Sequence, residues 1–209
     1  MNTKKIYVIR HGETEYNRIG KVQGSGIDSS LNDKGFRQAK AFYDAYKDVP
    51  FEKIYCSRLQ RTLQSVHAFI EDSVPYEQLT ELNEISWGDQ EGQLFHPSIH
   101  DEYRDLLEAW QNGDITRSIG GGEAPIDVMN RQKKAMDYIM SKEDEKLILM
   151  SIHGRALRIL LTWLTGNHLK DMEHLFVHKN LCVYSLLYDG TAYTVDLHCN
   201  LEHLEGIEI

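Results

Sequence analysis

The chain has 209 residues, 41% hydrophobic and 26% charged, with a formal net charge of −9. That is the make-up of an ordinary globular protein, long enough for one large domain or a domain carrying an insertion. The acidic balance argues against nucleic-acid binding, which needs a basic face, and no stretch approaches the length of a membrane span. Any anionic ligand must therefore be drawn by a local cationic pocket working against the overall field. Three cysteines, Cys56, Cys182 and Cys199, form no CxxC pair, so a disulfide framework is not expected and a reduced, cytoplasmic setting is. Met1 to Lys5 are followed by too short an apolar run for a signal peptide.

Ile6-Tyr7-Val8-Ile9 reads as a buried strand that empties abruptly into Arg10-His11-Gly12. Glycine there lets the backbone turn and a ligand approach closely. Small and polar residues then suit an anion-holding loop to about Asn32. A helix opens at Leu31 to Gly35, with Asn32 or Asp33 as its cap. Phe36, Ala39, Phe42, Tyr43 and Tyr46 form its apolar face. Pro50 closes that unit. Phe51 to Cys56 is a second strand, and Ser57 to Thr62 turn its end into a cationic helix start, the helix running on through Leu63, Val66, Phe69 and Ile70.

Val74 to Leu79 is a third strand, leading to Leu82-Asn83-Glu84-Ile85-Ser86-Trp87-Gly88. The segment from Gly88 to Gly122 is the least regular. It carries Phe95, His96, Tyr103, Trp110 and Arg117, with a helix from His100 to Gln111, and looks like a cap over a site. A helix from Pro125 to Ser141 has proline in its first turn. Lys146 to Ile152 is another buried strand ending in His153-Gly154, followed by a helix to about Leu164. Leu181 to Tyr188 and Ala192 to Cys199 are two last strands joined by a hairpin at Asp189-Gly190. The alternation predicts an α/β fold, a three-layer αβα sandwich with a mostly parallel central sheet, in a single domain over 1–209 with a cap-like insertion at about 88–122.

Three strand ends then carry Arg10-His11, Arg61 and His153, and parallel strands would bring all three to one edge of the sheet. Two guanidinium groups and two imidazoles match the charge and shape of one phosphoryl group. Arg58 competes with Arg61 for the second cation, but spacing favours Arg61. Seven of the eight further histidines, His96, His100, His168, His174, His178, His198 and His203, show no tight metal-ligand spacing and read as ordinary.

In these motifs the chain resembles the histidine phosphatase superfamily, with its phosphoglycerate mutase-like fold. Arg10-His11-Gly12-Glu13-Thr14 and Asn17 match the signature around its phosphorylated histidine. Gln23-Gly24, Asp28, Leu31, Gly35 and Gln38-Ala39 match the usual continuation. Ser57, Leu59, Arg61 and Thr62 match the second arginine's surroundings, and Leu82-Asn83-Glu84 the acid-bearing segment, with Gly88 and Glu91-Gly92 after it. His153-Gly154 matches the second histidine. Gly122-Glu123 resembles a Gly-Glu-Ser loop in which Ala124 stands for serine.

The resemblance implies that His11 attacks phosphorus while Arg10, Arg61 and His153 stabilise the equatorial oxygens. Glu84 would protonate the leaving oxygen and later activate water. Arg10, Asn17, Gln23, Gly24, Arg61 and His153 would bind the substrate, with no metal and no cofactor. The partner implied is a small phosphate ester. Glu77, Glu81 and Glu91 are nearby alternatives to Glu84. A phosphoglycerate mutase is the second reading, against which stand the chain's length and Ile85-Ser86-Trp87-Gly88 in place of the mutase Arg-His-Tyr-Gly. A non-catalytic phospholigand-binding module is the third.

Overall fold

A computed structural model describes residues 3–94 and 97–207, with side chains at 97–100 outside the description. Phe95 and His96, and the side chain of His100, thus lie outside the described residues. Six strands form one sheet in the order β3-β2-β4-β1-β5-β6. They are β1 (Lys4–Arg10), β2 (Lys53–Cys56), β3 (Tyr76–Gln78), β4 (Leu147–Ile152), β5 (Val183–Tyr188) and β6 (Tyr193–Asn200). β1, β4, β2 and β3 run parallel. β5 and β6 are antiparallel additions at one edge. The expected mostly parallel sheet and terminal hairpin are both present.

Alternation along β1 decides which layer each side chain joins. Ile6 and Val8 face one side with Ile148, Met150 and Ile152 of β4. There they pack on α6 (Pro125–Met140) and α7 (Gly154–Leu164) through Met136, Ile139, Leu157 and Leu161. Ile9 and Leu149 face the other side, against Phe42 of α2 (Asp33–Tyr46) and Phe69 of α4 (His67–Glu71). Period-two burial on a sheet flanked by helices is the reason the central strands read as continuous apolar runs. A third cluster joins Trp87, Leu106 and Trp110 to Val128, Ile159 and Met172. It seats α5 (Pro97–Gln111), the helix of the 88–122 segment, beside the parallel core.

Local chemistry sets the ends of elements. Asn32 caps α2, its Oδ1 accepting from Gly35 N at 2.8 Å. Four details depart from the sequence expectations. The loop after Gly12 contains a short helix, α1 (Glu15–Arg18), which Thr14 and Asn17 close with a reciprocal capping box. The expected single helix through Ile70 is two pieces, α3 (Gln60–Gln64) and α4: the Ser65 hydroxyl and N–H share the Arg61 carbonyl at 2.7 and 3.3 Å, and Val66 N then donates to Leu63 O, three residues back, so the i−4 ladder is broken there. Phe36 is 47% exposed, and the buried face of α2 is Gly35, Gln38 and Phe42 instead. A short helical turn after α7, α8 (Met172–Leu175), is absent from the sequence expectations.

Phe42 is fully buried, with its ring 5.5 Å from Phe69 and 4.9 Å from Tyr46. Phe42→Ala is expected to cost about 3–5 kcal/mol in urea unfolding. Phe36→Ala is expected to stay within about 0.5 kcal/mol. Comparable losses for both would show that the α2 face is assigned wrongly.

Candidate active site

The parallel pairing of β1 with β4 puts Arg10 opposite Ile152, and His11 N donates to Ile152 O at 3.0 Å. His11 and His153 therefore leave the sheet side by side, their rings 5.2 Å apart. Gly12 has an ordinary φ. It is needed because a Cβ there would meet Gly35 O at 2.8 Å, where the loop crosses the start of α2.

His11 is 2% exposed, and its Nδ1 lies 2.7 Å from Gly12 O. A carbonyl can only accept, so the proton sits on Nδ1 and Nε2 keeps its lone pair. Burial first, then Arg61 and Arg10, push the His11 value well below the ordinary 6.5. The imidazole is thus neutral and nucleophilic while two cations stand beside it.

Arg61 is wholly buried, and Arg58 is exposed, so the spacing selected the arginine that the fold encloses. Arg61 donates from Nη1 to Ile27 O (2.5 Å), from Nη2 to Gly24 O (3.2 Å) and from Nε to His153 Nδ1 (3.2 Å). A guanidinium has five N–H donors, so one on each terminal nitrogen is left for an anion. Burial lowers Arg61 to about 10. Gly24 thus contributes its carbonyl to Arg61. His153 departs from expectation in a related way. Nδ1 accepts from Arg61, so Nε2 carries the proton and donates to Ser57 Oγ at 2.7 Å. Both ring nitrogens are engaged, and His153 orients Arg61 while its own N–H turns to the protein. Its value too is pushed well down, by burial and then Arg61.

Arg10, Asn17, Gln23 and Glu84 line a cavity of about 190 Å³. Arg10 Nη1 donates to His178 O at 2.5 Å, and its buried Nε has no partner in the structure. Asn17 Oδ1 is occupied by Thr14 and Asn180, which leaves its Nδ2 as the donor for a ligand. Gln23 Oε1 accepts from Thr14 and Ser29, again leaving the amide nitrogen.

Glu84 is 7% exposed at the N-terminus of α7. Its Oε1 accepts from Ile85 N (3.0 Å) and Ala156 N (2.9 Å), and Oε2 from Arg155 N (3.1 Å). The carboxylate caps a helix that has no side-chain cap of its own. Oε2, with one donor, keeps a lone pair where a proton can sit.

Several neighbours went unseen in the sequence. Arg155 lines the cavity, donates from Nη2 to Tyr103 OH at 2.7 Å, and pairs with Glu173. Its place directly after His153-Gly154 was a usable signal. His178, read as ordinary, walls the cavity, and a Cβ on Gly154 would meet its ring at 2.5 Å. Burial, then Arg10, brings His178 down to about 2. Asn180 donates to His11 O at 3.0 Å. These two arrive because antiparallel β5 starts at the edge where β1 ends, with Leu181 N donating to Arg10 O at 3.0 Å. Among the described residues no group of three or more His, Cys, Asp or Glu side chains is arranged to hold a metal ion. None of the described helices is long and apolar enough to cross a membrane.

Fold and site together define an α/β protein with an imidazole–guanidinium anion centre at the carboxyl edge of its sheet. The sequence pattern of the histidine phosphatase superfamily (branch 1) matches residues 6–201, and the chain belongs to that family. It is 29% identical over 179 residues to the adenosylcobalamin/alpha-ribazole phosphatase of Salmonella typhimurium, covering 84% of this chain and 86% of that one. It is 30% identical over 174 residues to 6-phosphofructo-2-kinase/fructose-2,6-bisphosphatase 3 of Rattus norvegicus. That match takes in 82% of this chain but only 30% of the rat protein. The crystal structure of the alpha-ribazole phosphatase from Shigella flexneri superposes with a TM-score of 0.81 at 26% identity, over 94% of this chain and 96% of that one.

With a depressed value, His11 stays in its Nδ1-protonated neutral form well below pH 6.5. Imidazole ¹⁵N shifts of His11 are expected to be unchanged between pH 8 and about pH 6, and a transition near 6.5 would contradict the assignment. The linkage has a definite sign. Below about 6.5 the unfolded chain binds protons that folded His11, His153 and His178 refuse, so the urea midpoint should fall as pH falls through that window.

Proposed function

We propose that the protein is a phosphomonoester hydrolase that acts on a small phosphorylated metabolite through a phosphohistidine on His11. The observation that carries this reading is the His11 tautomer: Nδ1 bonded to Gly12 O, Nε2 free, with Arg10 and Arg61 beside it. Membership of the family and the likeness to alpha-ribazole phosphatases support a phosphatase.

Nε2 attacks phosphorus in line, and the bond to the leaving oxygen breaks. Arg10 and the two spare N–H groups of Arg61 balance the equatorial charge, with Asn17 and Gln23 adding amide donors. His153 acts through Arg61, and Gly24 through the same guanidinium. Glu84, protonated on Oε2, gives its proton to the departing alkoxide. The same carboxylate then takes a proton from the water that attacks phosphohistidine, releasing phosphate and restoring Nε2. The guanidinium groups supply the charge that a metal would otherwise bring.

We read 88–122 as a cap-like insertion in a single domain over 1–209. Its Tyr103, with Trp87 at its base, lines the cavity, so the leaving group is chosen there. Buried Trp87, stacked 6.1 Å from Trp110, follows Glu84 where mutases would carry a basic turn, which favours hydrolysis over mutase transfer. A metabolite substrate and three free cysteines suit a cytoplasmic setting.

His11→Ala is expected to lower turnover by on the order of 10⁴-fold or more without loss of fold. Acid quench with labelled substrate should place the phosphoryl group on His11, and label elsewhere would overturn the nucleophile. Glu84→Gln is expected to slow phosphorylation by alkyl phosphates about 10²–10⁴-fold, with much less effect on 4-nitrophenyl phosphate, whose leaving group needs no proton. Equal losses on both would remove Glu84 from the acid role.

A further inference from the structure

Arg131, on α6, does not line the cavity, yet all five of its N–H donors are committed around the segment that carries Glu84. Nη1 donates to Glu81 O at 2.7 Å and Asn83 O at 2.8 Å. Nη2 donates to Glu84 O at 2.9 Å and Glu123 Oε2 at 3.0 Å, and Nε to Glu123 Oε1 at 2.8 Å. Glu123 extends the grip. Its Oε2 also accepts from Ser86 N at 2.9 Å, and its backbone N donates to Ser86 O at 2.8 Å. Ser86 is where the chain enters the 88–122 segment, and Glu123 is where it returns.

Three carbonyls of one short turn thus converge on one guanidinium. Their oxygens carry like partial charges, so a cation at their focus stabilises this shape of the turn. The Glu84 side chain leaves the same turn and is gripped from the opposite side by the N–H groups of Ile85, Arg155 and Ala156. The main-chain clamp and the carboxylate clamp together fix where Oε2 stands.

We propose that Arg131, with Glu123, is a positioning residue that sets the Glu84 carboxyl at proton-transfer distance from the leaving oxygen and ties that placement to the base of the 88–122 segment. The inference rests on the acid role proposed for Glu84. Proton transfer tolerates little displacement, because a misplacement of about 1 Å can cost on the order of 10²-fold. Lysine keeps the charge but is a single point with three donors, and it cannot reproduce a planar five-donor fork.

The test is the leaving-group dependence of the phosphorylation step in Arg131→Lys, measured by single turnover on the whole chain. Cooperative urea unfolding checks that the variant is folded. An alkyl phosphate is expected to react about tenfold or more slowly than with wild type, and 4-nitrophenyl phosphate less than about threefold. In the Glu84→Gln background the same substitution should add less than about twofold on the alkyl phosphate, because the acid it serves is already gone. Scaffolding without a positioning role would lower both substrates alike and would add fully to Glu84→Gln, and either result overturns the proposal. If Arg131→Lys does not fold, Glu123→Gln takes its place, with the same selective loss expected and an unselective one overturning it. Selectivity in Glu84→Gln without selectivity in Arg131→Lys rejects the positioning role alone. No selectivity in Glu84→Gln rejects the acid role and this inference with it.

Discussion

The register of β1 against β4 is the constraint from which the site follows. Parallel strands with Arg10 beside Ile152 must release His11 and His153 next to each other on the same edge. A slip of one residue would turn every side chain of β1 to the opposite face, moving Ile6 and Val8 out of the α6–α7 layer. Burial of both faces therefore fixes the register, and the register fixes the two imidazoles. Arg61 comes to the same edge because β2 pairs with the other side of β4.

Once assembled, the centre is electrostatically incomplete. Arg61 is fully buried and Arg10 half-buried at the cavity wall, and burial lowers both. The imidazoles answer by remaining neutral, since a third positive charge in that space would be opposed by burial and by both arginines. On the proposed mechanism a dianionic phosphoryl group would relieve the arginines and meet an uncharged His11, so one arrangement would serve both binding and attack. The formal charge of −9 lies elsewhere on the chain, and the attraction is confined to the pocket.

Glu84 is placed by a different device, the start of α7. Unpaired N–H groups at a helix N-terminus need acceptors, and His153 offers no side-chain cap. The carboxylate fills that need and in doing so reaches the cavity. Helix α7 thus contributes twice: the residue before it is His153, and its first turn holds the Glu84 carboxylate. Arg131 and Glu123 close the other side of the same turn, joining the acid to both ends of the 88–122 segment.

Much of this was written locally. Apolar runs ending in Arg10-His11-Gly12 and His153-Gly154 specify strands that finish at polar groups, and the parallel pattern sends such ends to one edge. The cap at Asn32 and the hairpin at Asp189-Gly190 were readable for the same reason, because each depends on neighbours a few residues away. What the sequence by itself determined was therefore the α/β architecture, the strand-end places of His11 and His153, and the buried Arg61 as distinct from the exposed Arg58. Only the tertiary structure decided that His153 gives its N–H to Ser57, that Gly12 is required by Gly35, and that Asn180 reaches His11 and His178 reaches Arg10 just before the antiparallel β5. It alone decided that Arg131, 47 residues from Glu84, grips the acid's turn. These contacts join residues far apart in the chain, and long-range partners leave no periodicity or spacing for local propensity to reveal.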